Sequence, residues 1–136
     1  MIRPARRISN EKRTVTSRLI RRLWDDEAMT QLHTLVAYVP RTHTQAVLAA
    51  IGDAGAGRIG NYSHCSFVTA GTGRFTPLDG AAPFIGDVNR ATEVAEDRIE
   101  CVVGEDLLDA VVLALRAAHP YEEPAFMSWP VDGWRG

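Results

Sequence analysis

Shifting the chain by 64 residues lays AVLAAI (46–51) on AVVLAL (110–115), Pro40 on Gly104, and Gly55 on His119. A repeat of this kind constrains the fold more than any single motif, because each copy reads as strand, helix, strand. HTLVAYVP (33–40) and EDRIECVVG (96–104) are apolar and rich in β-branched residues, as buried strands are. THTQAVLAAIGDAG (42–55) follows the first, with Val47, Leu48 and Ile51 on one helical face, Thr42 or Thr44 as N-cap, and Gly55 in the left-handed position that ends a helix. EDLLDAVVLALRAAHP (105–120) follows the second, with acids in its first turn, where the macrodipole favours them. His119 and Pro120 close it. NYSHCSFVTA (61–70) alternates like a strand, and PAFMSWPV (124–131) is a short strand whose prolines suit a sheet edge. The sum is an α+β, ferredoxin-like βαββαβ fold with an antiparallel sheet. Right-handed crossovers put both helices on one sheet face. The other face is left without cover, so association through the sheet is expected.

The chain has 136 residues, enough for one domain with a real core. Its charge is unevenly spread. Residues 1–31 carry eight Lys/Arg and four Asp/Glu, hence +4, and 32–136 carry seven against thirteen, hence −6. The first segment reads as a flexible basic extension and the second as the folded domain. Glu11, Asp25, Asp26 and Glu27 argue against a transit peptide, and Met29 would be a natural start for the body. A body of −6 makes a poor nucleic-acid binder, since phosphate contacts need clustered Lys/Arg. The apolar run DAVVLALRAA (109–118) is too short to span a bilayer, so no membrane partner is expected. Cys65 and Cys101 form neither a disulfide scaffold nor a C-x-x-C pair, which points to a reducing cytoplasm.

GAGRIG (55–60) spells G-x-G-x-x-G, with Asp79 about twenty residues on, the spacing of a dinucleotide fingerprint. Such a motif must follow a strand and open a helix, so that the pyrophosphate meets the helix N-terminus. Here it follows a helix and opens a strand, and a phosphate would meet the negative end of the dipole. The glycines therefore read as helix cap and turn.

Three segments could carry chemistry. In NYSHCSF, strand geometry sends His64 and Cys65 to opposite faces. Cys65 then packs in the core, or His64 serves as a ligand in a subunit cleft. GTGRFTPLDGAAPFIGDVNRA (71–91) is too long for an ordinary hairpin, and Phe84 and Ile85 within it call for burial. It is either a functional lid or subunit-clasping loop, or an inert excursion. HPYEEPA (119–125) is either a helix stop or a set of groups, His119, Glu122 and Glu123 beside Tyr121, for a divalent ion or acid–base work. No G-x-S-x-G, H-E-x-x-H or paired C-x-x-C occurs, and no catalytic residue is assigned.

GAGRIGNYSHCSF, GTGRFTPLDGAAPFIG, EDRIE and LRAAHPYEEPAF, in this order over roughly residues 32–130, resemble the PII/CutA-like domain of the YqfO family. In longer members that module is inserted into a di-metal protein described as GTP-cyclohydrolase-like, and the HPYE-P element is also similar to CutA proteins. Ser63 and Ala82 stand where the family pattern suggests an acid and Asn. The resemblance implies a homotrimer with small molecules or metals bound in clefts between subunits. No segment matches the His-rich di-metal ligands, so no hydrolase activity is carried over. The expectation is a non-catalytic trimeric module that binds a divalent metal ion or small metabolite. His64, Tyr62, Phe84 and Tyr121 are its ligand-binding candidates, and His64, His119, Glu122 and Glu123 its metal candidates. A metal-dependent hydrolase and a pure oligomerisation or docking module are the alternatives.

Overall fold

A computed structural model describes residues 30–133; the basic extension expected over 1–31 lies almost entirely outside them. The elements are β1 (Leu32–Pro40), a 3-10 turn (Arg41–His43), α1 (Thr44–Asp53), β2 (Phe67–Phe75), β3 (Thr92–Gly104), α2 (Glu105–Ala118) and β4 (Phe126–Val131). The sheet order is β2-β3-β1-β4, with every neighbouring pair antiparallel. This is the ferredoxin-like βαββαβ arrangement read from the repeat.

One face of the sheet meets the helices. Leu35, Ala37 and Val39 of β1 and Ile99 and Val103 of β3 pack with Val47 and Ile51 of α1 and Val111 and Leu115 of α2 in a single buried cluster. Both copies of the repeat thus contribute equivalent helix residues to one core. Burial of such side chains is worth about 1.5–3 kcal/mol each before entropy is set against it.

The helix ends follow local chemistry. After α1, Gly55 (φ 112°) reverses the chain, the Gly55 N–H donates to Gly52 O (3.1 Å) and the Ala56 N–H to Ile51 O (2.9 Å). These are the two bonds of a Schellman cap, as the glycine reading expects. At the other end no side chain caps α1: Thr44 Oγ1 instead donates to Asp97 Oδ2 (2.8 Å) on β3, and Thr42 bonds to the neighbouring His43 ring. Proline 120 pushes His119 out of helical space (φ −76°, ψ 132°), which ends α2.

Two boundaries differ from the sequence expectation. β2 begins at Phe67 and runs through Phe75, whereas the alternation placed it at 61–70. Residues 61–66 are a turn: Ile59 and Tyr62 bridge each other across Gly60-Asn61, and His64 is left-handed (φ 58°). The opposite-face argument for His64 and Cys65 therefore falls. Gly71–Phe75 belong to the strand, and the long connection shrinks to residues 76–91.

Strand alternation and register place Phe67, Trp129 and Met127 on the face away from the helices, opposite Glu100, Thr34 and Val36. Phe67 is 65% exposed, and Met127 and Trp129 are also exposed. The expected uncovered apolar face is present in the single chain.

Candidate functional site: an aromatic and acidic cleft under the 76–91 loop

The end of that uncovered face is covered by the 76–91 loop. Three interactions shape the loop. Asn89, itself left-handed (φ 62°), donates from Nδ2 to Asp79 Oδ1 (2.8 Å), and its N–H donates to Pro77 O (2.6 Å). The Ala82 N–H donates to Glu122 Oε1 (3.0 Å), which ties the loop to the segment after α2. The burial that Phe84 calls for is partly met: its ring stands edge-on to His43 (5.6 Å) and near Tyr121 (6.5 Å).

Beneath the loop lies a cleft of about 300 Å³. Tyr38, Phe75, Phe84 and Tyr121 form aromatic walls, and Glu96, Glu122 and Glu123 bring carboxylates to it. Phe75 and Tyr121 approach to 5.9 Å between ring centres. Arg74 also reaches the rim, where its guanidinium pairs with Glu93 (2.8 Å).

Glu96 is the unexpected member. It is only 8% exposed and lines the cleft, and among the described residues no Lys, Arg or His forms an ion pair with its carboxylate. Its side chain occupies the space that a Cβ at Gly73 would fill, so the glycine of β2 makes room for the acid of β3. The Tyr121 hydroxyl is buried beside it. Burial first, and the neighbouring Glu96 carboxylate second, push its pKa up to about 12. Glu96 thus acts on that hydroxyl both through its charge and as a side-chain acceptor beside it.

His119 stands behind Tyr121 rather than in the cleft, with ring centres 4.9 Å apart, and is 5% exposed. Its Nε2 lies 2.7 Å from Tyr38 O, and its Nδ1 accepts the Tyr121 N–H at 3.1 Å. A ring that donates at Nε2 and accepts at Nδ1 is a neutral imidazole in one tautomer. Desolvation lowers its pKa, outweighing the Tyr38 carbonyl and Glu96, which raise it. With both nitrogens engaged, His119 orients two cleft residues and has no free lone pair for an ion.

His64 is elsewhere. Its Nε2 meets Asp53 Oδ1 at 2.9 Å and its Nδ1 meets Ser63 Oγ at 2.8 Å, while its ring covers Gly52. Serine, histidine and acid in series resemble a nucleophilic relay. All three are exposed, however, and the adjoining hollow, which Cys65 and Cys101 share, is about 10 Å³, room for roughly one water. The series pins the turn to the end of α1. Burial raises the Cys101 thiol to about 11, far from a reactive thiolate. Tyr62 is exposed on the small bridge with Ile59 and does not line the cleft.

Of the residues singled out from sequence, the structure brings Phe84, Tyr121, Glu122 and Glu123 together, sets His119 behind them, and leaves His64 and Tyr62 apart. Among the described residues no group of three or more His, Cys, Asp or Glu is arranged to hold a metal ion, so the described residues of a single chain do not fit that group. Tyr38, Phe75 and Glu96 were missed. The hint was GTG (71–73), where the missing side chain of Gly73 leaves room for Glu96. No described helix is long and apolar enough to cross a membrane.

No family model matches the chain. Among curated relatives, the GTP cyclohydrolase 1 type 2 homolog of Mycobacterium bovis is 57% identical over 91 residues, covering 67% of this chain and 24% of that protein. Among solved structures, a Bacillus cereus protein related to NIF3 superposes with a TM-score of 0.67 at 42% identity, over 76% of this chain and 26% of that one. CutA from Synechococcus elongatus superposes with a TM-score of 0.53 at 19% identity, over 75% of this chain and 78% of that one, a likeness of fold alone. The folded body thus belongs with the PII/CutA-like segment of the GTP cyclohydrolase 1 type 2 homolog (NIF3/YqfO) family, and the chain spans about a quarter of the length of the curated relatives it matches.

Proposed function

We propose that this chain is a non-catalytic, homotrimeric PII/CutA-like module that binds a small molecule in clefts at the edges of its subunit interfaces. The observation that carries this reading is the cleft itself: four aromatic rings and a buried acid under the 76–91 loop, at one end of an apolar sheet face. Concave, mostly apolar pockets with a few converging polar groups are the usual form of small-ligand sites. Phe67, Met127 and Trp129 supply the surface through which copies would assemble, since exposed patches of this kind mark interaction sites.

Light scattering tests the assembly. The purified chain is expected to run at three times its monomer mass, and Trp129→Glu at the monomer mass. Trimers that survive Trp129→Glu would remove this face as the interface. In the metal version of the reading, Glu122 and Glu123 of one subunit would meet ligands from another. Metal content per trimer after purification without chelators tests it, and a stoichiometry of zero after reloading with divalent ions overturns it.

A further inference from the structure

We infer that the cleft under the 76–91 loop takes a small organic cation, an ammonium group carried on a carbon skeleton. The inference rests on the reading of this cleft as a ligand site and names its chemistry. Glu96 motivates it. This residue is 8% exposed and lines the cleft, and among the described residues no Lys, Arg or His pairs with it, so a counter-charge entering the cleft would offset the cost of burying its carboxylate. The Tyr121 hydroxyl beside it can donate to that carboxylate and still accept from an ammonium N–H.

The walls point the same way. Tyr38, Phe75, Phe84 and Tyr121 present aromatic faces, whose negative quadrupoles attract a cation. Glu122 and Glu123 add negative charge at the mouth. Among the described residues Arg74 is the one cation lining the cleft, and it is mostly exposed and already paired with Glu93. A phosphate or carboxylate ligand would therefore meet three acids and no free positive group. A volume of about 300 Å³ suits a molecule of modest size and lies at the lower end of common ligand pockets. Bare metal ions would use few of these aromatic surfaces.

The test is calorimetry and aromatic-proton NMR on the full chain, with choline and butylammonium as probes. Each is compared with a neutral isostere in which carbon replaces the charged nitrogen, and ATP serves as the anionic control. The expected result is that the cations bind at least about tenfold more tightly than their isosteres and shift the Tyr and Phe ring resonances. Glu96→Gln is expected to reduce that preference about tenfold. Phe84→Leu, on the exposed loop where folding is not at stake, is expected to weaken cation binding several-fold. Equal binding of cations and isosteres would refute the cation while leaving a ligand site. ATP binding in place of the cations would do the same. Binding of none of the probes would overturn both the inference and the small-molecule reading beneath it.

Discussion

Replacing His119 by Phe separates two roles that the residue type alone does not. A Phe keeps the ring volume and its contact with Tyr121, but it cannot donate to Tyr38 O or accept from the Tyr121 N–H. Two backbone groups lose their partner. A buried group left unsatisfied costs about 1–3 kcal/mol. Tyr121 is only partly buried, so a total of about 2–3 kcal/mol is the reasonable sum. For a domain of this size that lowers the melting temperature on the order of ten degrees or more.

The same geometry fixes a sign for pH. The Tyr121 N–H needs an unprotonated Nδ1, and desolvation already lowers the folded-state pKa below the ordinary 6.5. Between the folded and unfolded pKa values the unfolded chain therefore binds more protons, and stability rises with pH. The contribution is complete above about 6.5 and is lost as pH falls below it. Urea unfolding of wild type and His119→Phe, each followed from neutral pH into acid, isolates this term, because His33, His43 and His64 are common to both chains. The wild type is expected to lose its advantage over the variant as the pH drops. A variant destabilised by less than about 0.5 kcal/mol, well below the cost of one unsatisfied group, or an acid limb of equal slope in both chains, would refute the positioning role.

Gly73→Ala places a methyl group where the Glu96 side chain lies. The single variant is expected to be destabilised, and Gly73→Ala with Glu96→Ala to recover part of the loss, an interaction read by a double-mutant cycle in denaturant. Additive effects would mean that Gly73 does not make room for Glu96. Leu115→Ala, at the centre of the helix-facing core, is expected to cost about 2–5 kcal/mol in urea unfolding. A loss below about 1 kcal/mol would show that the core relaxes around the deletion far more readily than close packing allows.

The parts of this fold that were legible in sequence are those held by apolar periodicity. Val47 and Ile51 match Val111 and Leu115 under the 64-residue shift, and all four enter one core. The pattern failed where side-chain type imitated a period that the backbone does not follow. NYSHCSF alternates, yet its tyrosine closes a two-residue turn and its histidine sits at φ 58°. Conversely GTG (71–73) has poor strand propensity and reads as loop, but it is strand, since Gly73 leaves room for a carboxylate from the next strand. Propensity is local, whereas the reason for that glycine lies across the sheet.

The same distinction explains the site. HPYEEP stood out because its polar groups are denser than a helix stop requires, and four of its six residues do border the cleft or orient its walls. Their roles could not be read from type. His119 looks like a ligand in sequence, but a ligand needs a free nitrogen, and both of its nitrogens are spent on the backbones of Tyr38 and Tyr121. Glu96 looks like one acid among several in a strand. Its importance comes from register alone: β3 places it beside the glycines of β2, at the depth where the 76–91 loop closes over it. A shift of one residue in that pairing would turn Glu96 toward the helices and Asp97 toward the cleft, exchanging an acid without an ion-pair partner for one that Thr44 and Arg41 now hold. The binding chemistry proposed for this cleft is thus set by strand pairing more than by any motif.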